Sequence, residues 1–151
     1  MSVPEPVVEL TDTPPAGARE AITGPLLTFT AASLGDPCMR PLVLLVRPEP
    51  DAEPSGGLWG RTSWGWLYVE YFFLPESLRR RGLGTALLGR AEAEAVARGC
   101  HGAWLETLSD EAAAFYRRQG YAPFGQLADY PHGNMRWFLT KPLAAAPAST
   151  P

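Results

Sequence analysis

Several residue types are scarce in this 151-residue chain, and each scarcity removes a class of function. The only lysine is Lys141, so the Gly-Lys-Ser/Thr loop of a nucleoside-triphosphate site is excluded. Two cysteines, Cys38 and Cys100, with no CxxC spacing and no histidine-rich context, cannot frame a metal site. They read as reduced core thiols, with a disulfide as the alternative. Basic residues are outnumbered: 13 Lys and Arg stand against 16 Asp and Glu, giving a net charge of −3. Without a dominant basic face, a nucleic-acid partner is not expected. No apolar run approaches the roughly 18 residues of a membrane span. The opening Met1-Ser-Val-Pro-Glu-Pro6 lacks a basic then apolar leader. These shortages together predict a soluble, cytoplasmic protein with no membrane partner and no metal.

What remains is 46% hydrophobic and includes five Trp, five Tyr and six Phe, sufficient for one core. Residues 1–6 and 142–151, rich in Pro and small side chains, are expected to be flexible tails around a single domain over 7–141. Within it, Val7–Thr11 reads as a strand. Residues 16–34 have helical spacing, with Ala21, Leu26, Leu27 and Phe29 facing a core and Gly24-Pro25 interrupting or bending the helix. Pro41–Val46 is an apolar strand. Leu58–Thr62, a tight Ser63-Trp64-Gly65 connection and Trp66–Leu74 form a hairpin. A helix over Thr85–Arg98 buries Leu87, Leu88, Ala91, Ala95 and Val96 and stops at Gly99. A strand over Gly102–Thr107 follows, then a helix from Glu111 to Gln119 capped by Asp110, then strands over Tyr121–Leu127 and Met135–Thr140. This order is a mixed α/β domain.

The chemistry is concentrated where the aromatic strand ends, at Arg79-Arg80-Arg81-Gly82-Leu83-Gly84-Thr85. Glycines in a strand-to-helix turn let a ligand approach the backbone, and the unpartnered first-turn amides attract an anion. A dinucleotide-binding loop would require a third glycine at position 87, which is Leu. Standing alone, the pattern R-x-x-G-x-G would equally describe a plain turn beside a solvated arginine patch.

It does not stand alone. Arg79, Gly82 and Gly84 fill the R/Q-x-x-G-x-G/A motif of the GNAT superfamily of N-acetyltransferases. Leu105-Glu106-Thr107, then Ala112 to Phe115, Tyr116, Gly120 and Tyr121, are similar to that family's second signature. The chain therefore resembles a bacterial GNAT member acting on small molecules, closely over residues 40–141 and in layout only over 1–39. One departure is Ser109, where the family often has Asn.

The resemblance implies a GNAT fold: a central mixed, mostly antiparallel sheet of six to seven strands flanked by three to four helices, splayed between the fourth and fifth strands. It implies acetyl-CoA as co-substrate, with its pyrophosphate held at Arg79, Arg80, Arg81, Gly82, Leu83, Gly84 and Thr85. Backbone groups of Phe72, Phe73 and Leu74 would take the pantetheine arm, and Ser109 and Tyr116 would lie beside it. Tyr116 stands where many members place the acid that protonates the leaving thiolate, although a tyrosine there can also simply pack the helix on the sheet. An alkyl amine is mostly protonated near neutrality, so a base is also required. Glu70, flanked by Tyr68 and Phe72 if the strand alternates regularly, and Glu106 both qualify, and water is a third option. The same two carboxylates would also suit solvent-facing or arginine-paired strand positions. His132, in the Tyr130-Pro131-His132-Gly133 loop, and His101 read as loop and strand-edge residues.

Acetylation of a small-molecule primary amine is the leading expectation, with the 130–133 loop partly closing the acceptor end. Acetylation of a protein N-terminus or lysine comes second, and a non-catalytic acyl-CoA-binding module third. Pairing through sheet edges, common in the family, would make the protein a homodimer.

Overall fold

The computed structural model describes residues 1–143, as two compact units: Met1–Pro37 and a second that begins at Cys38. The first unit holds α1, Ala18–Leu34. Val7–Thr11 forms no strand, since a lone short segment without a hydrogen-bonding neighbour has nothing to stabilise an extended ladder. Pro25 lies inside α1 without ending it. Proline removes one backbone donor there, the one that would reach the Ala21 carbonyl. Separately, Thr28 Oγ1 donates to the Gly24 carbonyl (3.1 Å) and Thr30 Oγ1 to that of Leu26 (2.8 Å). No α1 residue is buried, so Ala21, Leu26, Leu27 and Phe29 are all exposed where core contacts are expected.

The second unit is a six-stranded sheet in the order β1-β2-β3-β4-β6-β5. Its strands are β1 (Arg40–Val46), β2 (Gly56–Ser63), β3 (Trp66–Phe73), β4 (Gly102–Thr107), β5 (Ala122–Ala128) and β6 (Met135–Pro142). Its helices are α2 (Leu83–Ala97) and α3 (Asp110–Arg118). All neighbours are antiparallel except β3 and β4. The expected hairpin is present, and Trp64 (φ 46°) and Gly65 (φ 78°) both take the left-handed conformation that a two-residue hairpin turn requires.

The core lies between one face of the sheet and the two helices. Leu67, Val69, Leu105 and Leu139 from the strands meet Leu88, Ala91 and Ala95 from α2, and Tyr116 from α3 joins them. Cys100 is buried in this core whereas Cys38 is exposed, so only one of the two is a core thiol. Two helix starts differ from expectation. Gly82, with φ 76°, precedes α2 at Leu83, and Ser109 rather than Asp110 caps α3, its Oγ accepting from the Ala112 amide at 3.2 Å. β6 extends to Pro142 and Leu143 is buried, so both leave the expected tail, while 144–151 lie outside the described residues.

Two irregularities shape the site. The parallel pairing of β3 with β4 runs from Trp66↔Gly102 to Val69↔Leu105 and stops, although β3 continues to Phe73 and β4 to Thr107. This is the expected splay. On its other side β3 pairs Val69 with Gly60 but Tyr71 with Trp59, which leaves Glu70 as the extra residue of a β-bulge.

Candidate active site

The bulge decides which side chains share a face. Cross-strand partners point the same way, so Phe72, opposite buried Leu58, turns to the helix face, while Tyr71, opposite Trp59, turns to the other. Glu70 is therefore not sandwiched between Tyr68 and Phe72 as regular alternation predicts. Phe72 instead packs near Phe115 and Tyr116, with ring centroids 6.3 and 6.4 Å away.

On the helix face, a cleft of about 750 Å³ runs from the end of β3 to α3, lined among others by Phe72, Phe73, Leu74, Gly84, Ser109 and Tyr116. The start of α2 opens into it. Gly82 provides no side-chain cap, so the first-turn amides keep their unpaired donors. Thr85 Oγ1 accepts from Gln119 Nε2 at 3.1 Å, which ties α2 to the residue after α3. Arg80 lines the cleft in a left-handed conformation (φ 61°), and Arg81 is exposed. Arg79 does something else. Its Nε donates to the Leu74 carbonyl at 2.7 Å, and its guanidinium lies over the Phe73 ring at 5.4 Å. That side chain braces the end of β3, and the Leu74 carbonyl is already engaged. Past Val69, the edge of β3 that faces β4 has no ladder partner.

Tyr116 is buried at the floor of the cleft, 7% exposed, and its hydroxyl makes no hydrogen bond among the described residues. Burial pushes this phenol up to about 12. Burial also raises Tyr121, with the Glu92 charge a smaller cause, and Tyr68, where Glu106 adds to the effect. Each phenol is more readily ionised in the unfolded chain, so the folded state binds more protons above the ordinary tyrosine value of 10. Stability is therefore expected to hold up to about pH 10 and to fall between about pH 10 and 12, as urea unfolding midpoints at stepped pH would reveal. A Tyr116→Phe protein should lose less over that interval.

The opposite face carries a chain of polar contacts centred on Tyr68. Its ring stacks on Trp104 at 4.1 Å, and its hydroxyl donates to Glu106 Oε1 at 3.2 Å. Arg61 lies over the same ring at 4.9 Å and pairs with Glu70 at 3.3 Å. The second oxygen of Glu106 faces Arg136 Nη1 at 3.4 Å, and the Arg136 guanidinium lies 3.7 Å over the Tyr130 ring. Glu70 and Glu106 each directly follow the last β3–β4 pair, so the two carboxylates flank the mouth of the splay. Sequence reasoning missed Tyr68, Arg61, Arg136 and Gln119. Only Arg61 and Tyr68 left a signal, as facing positions of a readable hairpin. His132 is exposed, 3.7 Å from Asp129, and His101 packs edge-on to Trp66 at the strand edge, both as expected.

A splayed parallel pair, a glycine turn into a helix and an α/β sheet of this order define an acyltransferase-type architecture. The family model for the acetyltransferase (GNAT) family matches residues 13–121, and the chain belongs to that family as an acetyltransferase. It is 38% identical to an acetyltransferase of Agrobacterium fabrum over 132 residues, 87% of this chain and 96% of that protein. It is 40% identical to the blasticidin-S acetyltransferase of Streptomyces morookaense over 92 residues, 60% of this chain and 68% of that one. Among solved structures, an acetyltransferase from Bacillus cereus superposes with a TM-score of 0.76 at 26% identity, covering 89% of this chain and 98% of the other. A nourseothricin acetyltransferase superposes with a TM-score of 0.58 at 27% identity, covering 72% and 67%. Among the described residues no helix is long and apolar enough to cross a membrane.

Proposed function

We propose that this acetyltransferase moves an acetyl group from acetyl-CoA directly to a primary amine of a small molecule. The observation that carries the reading is the splay between β3 and β4, with the uncapped start of α2 and Tyr116 on one face and Glu70 and Glu106 on the other. Acetyl-CoA fits the first side. The free amides of Leu83 to Thr85 suit its pyrophosphate, and the unpaired edge of Phe72 and Phe73 suits the amides of its pantetheine arm. Arg80 adds positive charge, while Arg79 acts by bracing β3.

In the reaction the amine nitrogen forms a bond to the acetyl carbon and the carbon–sulfur bond breaks. The amine proton leaves to Glu70, Glu106 or a water they hold, and the thiolate takes a proton from Tyr116. Buried and protonated, Tyr116 is suited to donate across the physiological range. A small acceptor is supported by the two relatives named for small-molecule substrates, blasticidin S and nourseothricin.

Acetyl-CoA-dependent thiol release on a panel of amino acids, polyamines, aminoglycosides and short peptides tests the proposal. Turnover on one class of small amine is expected. Of Glu70→Gln and Glu106→Gln, the variant that removes the base should lose about 10²-fold in kcat/KM. Binding of acetyl-CoA with no release on any amine would overturn the reading.

A further inference from the structure

The carboxylates at the mouth of the splay are not bare. Arg61 stands 3.3 Å from Glu70 and Arg136 stands 3.4 Å from Glu106, so two positive and two negative charges balance on this face. A polycationic acceptor would find no unpaired carboxylate in this pair of ion pairs. A zwitterion would leave every charge matched.

Arg136 is the underused member. Its side chain is only 19% exposed, yet it makes no hydrogen bond among the described residues, and its Nε is buried with no partner. A guanidinium has five N–H donors in a planar fork, and leaving them unmet away from water is costly. Tyr130 covers a face of the guanidinium at 3.7 Å and Nε is closed off, which leaves the in-plane edge at the two Nη atoms, one of them now facing Glu106, for a partner. In-plane approach is how a carboxylate binds this fork in bidentate fashion.

We infer that Arg136 anchors a carboxylate on the acceptor, so that the enzyme acts on an amino-acid-like zwitterion carrying both an amine and a carboxylate. The inference rests on the proposed amine acetylation and deepens it. It also couples binding to chemistry. A carboxylate that draws Arg136 away leaves Glu106 Oε2 for the incoming amine, while Tyr68 still holds Oε1 at 3.2 Å.

Matched acceptor sets test this: an amino acid, its carboxamide and the corresponding decarboxylated amine, with lysine, lysinamide and cadaverine as the first set and α- and β-amino acids as others. In at least one set the carboxylate member is expected to exceed its carboxamide by tenfold or more in kcat/KM. Arg136→Gln should bring that ratio close to one, chiefly through KM for the carboxylate member, and Arg136→Lys should keep part of it. Thermal melting identifies a variant that has failed to fold, and the wild-type ratios then decide alone. Equal rates on carboxylate and carboxamide by the wild type in every set, or an Arg136→Gln loss shared equally by all members, would sink the inference and leave amine acetylation standing. Absence of turnover on every amine would remove the underlying reading as well.

Discussion

Tyr116→Phe is expected to lower kcat by about 10²-fold while leaving acetyl-CoA affinity and thermal stability close to those of the wild type. Tyr116 packs against Phe72, Phe115 and Tyr121 with ring centroids 5.2 to 6.4 Å away, and those contacts belong to the ring, which phenylalanine keeps. The hydroxyl itself is bonded to nothing among the described residues and lies in the cleft. Phenylalanine keeps the ring contacts and the hydroxyl has no protein hydrogen bond to lose, so the melting temperature should hold. The loss should fall on kcat because a proton is needed only as the thiolate departs. With the phenol pushed up to about 12, the wild type should show no alkaline decline in kcat from this group below about pH 10. Steady-state kinetics with melting curves distinguish the possibilities. A kcat within threefold of wild type would remove Tyr116 as the acid, and a large fall in melting temperature would make it a packing residue.

Gly60→Ala should damage both stability and activity, although position 60 touches no substrate in the proposed scheme. A Cβ there would lie 2.5 Å from the Tyr68 carbonyl oxygen and 3.5 Å from the Val69 Cα. The closest obstacle is backbone, so relief requires moving β3 itself. Overpacking of this kind costs about 1–3 kcal/mol, or about 2–12 °C in melting temperature for a chain of this size. The displaced stretch is Tyr68 to Glu70, which contains the bulge, the Tyr68 hydroxyl that orients Glu106, and the last pairing before the splay. A drop in kcat/KM of about tenfold or more should therefore accompany the destabilisation and persist well below the new melting temperature. Differential scanning fluorimetry and kinetics at low temperature separate the two effects. Destabilisation with normal low-temperature kinetics would show that the bulge tolerates a shift of β3.

Much of this molecule was legible locally. The glycine turn into α2, the buried stripe Leu87, Leu88, Ala91 and Ala95, the Trp64-Gly65 hairpin and the short α3 before Gly120 each depend on residues within a few positions of one another. The same nearness places Tyr116 beside the cleft, because it lies one helix after β4. Local reasoning failed where a local cost was absorbed, as at Pro25 inside α1, or where no partner strand formed, as at Val7–Thr11.

The chain's own order of residues thus determined the family, the glycine turn into α2, the tyrosine and the two carboxylates worth testing. Tertiary structure alone decided how those groups face one another. The bulge at Glu70 arises from the register of β3 against β2, which reverses the alternation and sends Phe72 to the helix face and Tyr71 to the other. Arg136 meets Glu106 because β6 inserts beside β4 rather than at the sheet edge. Register and strand order are set by pairings between distant segments, and no window of neighbouring residues contains them.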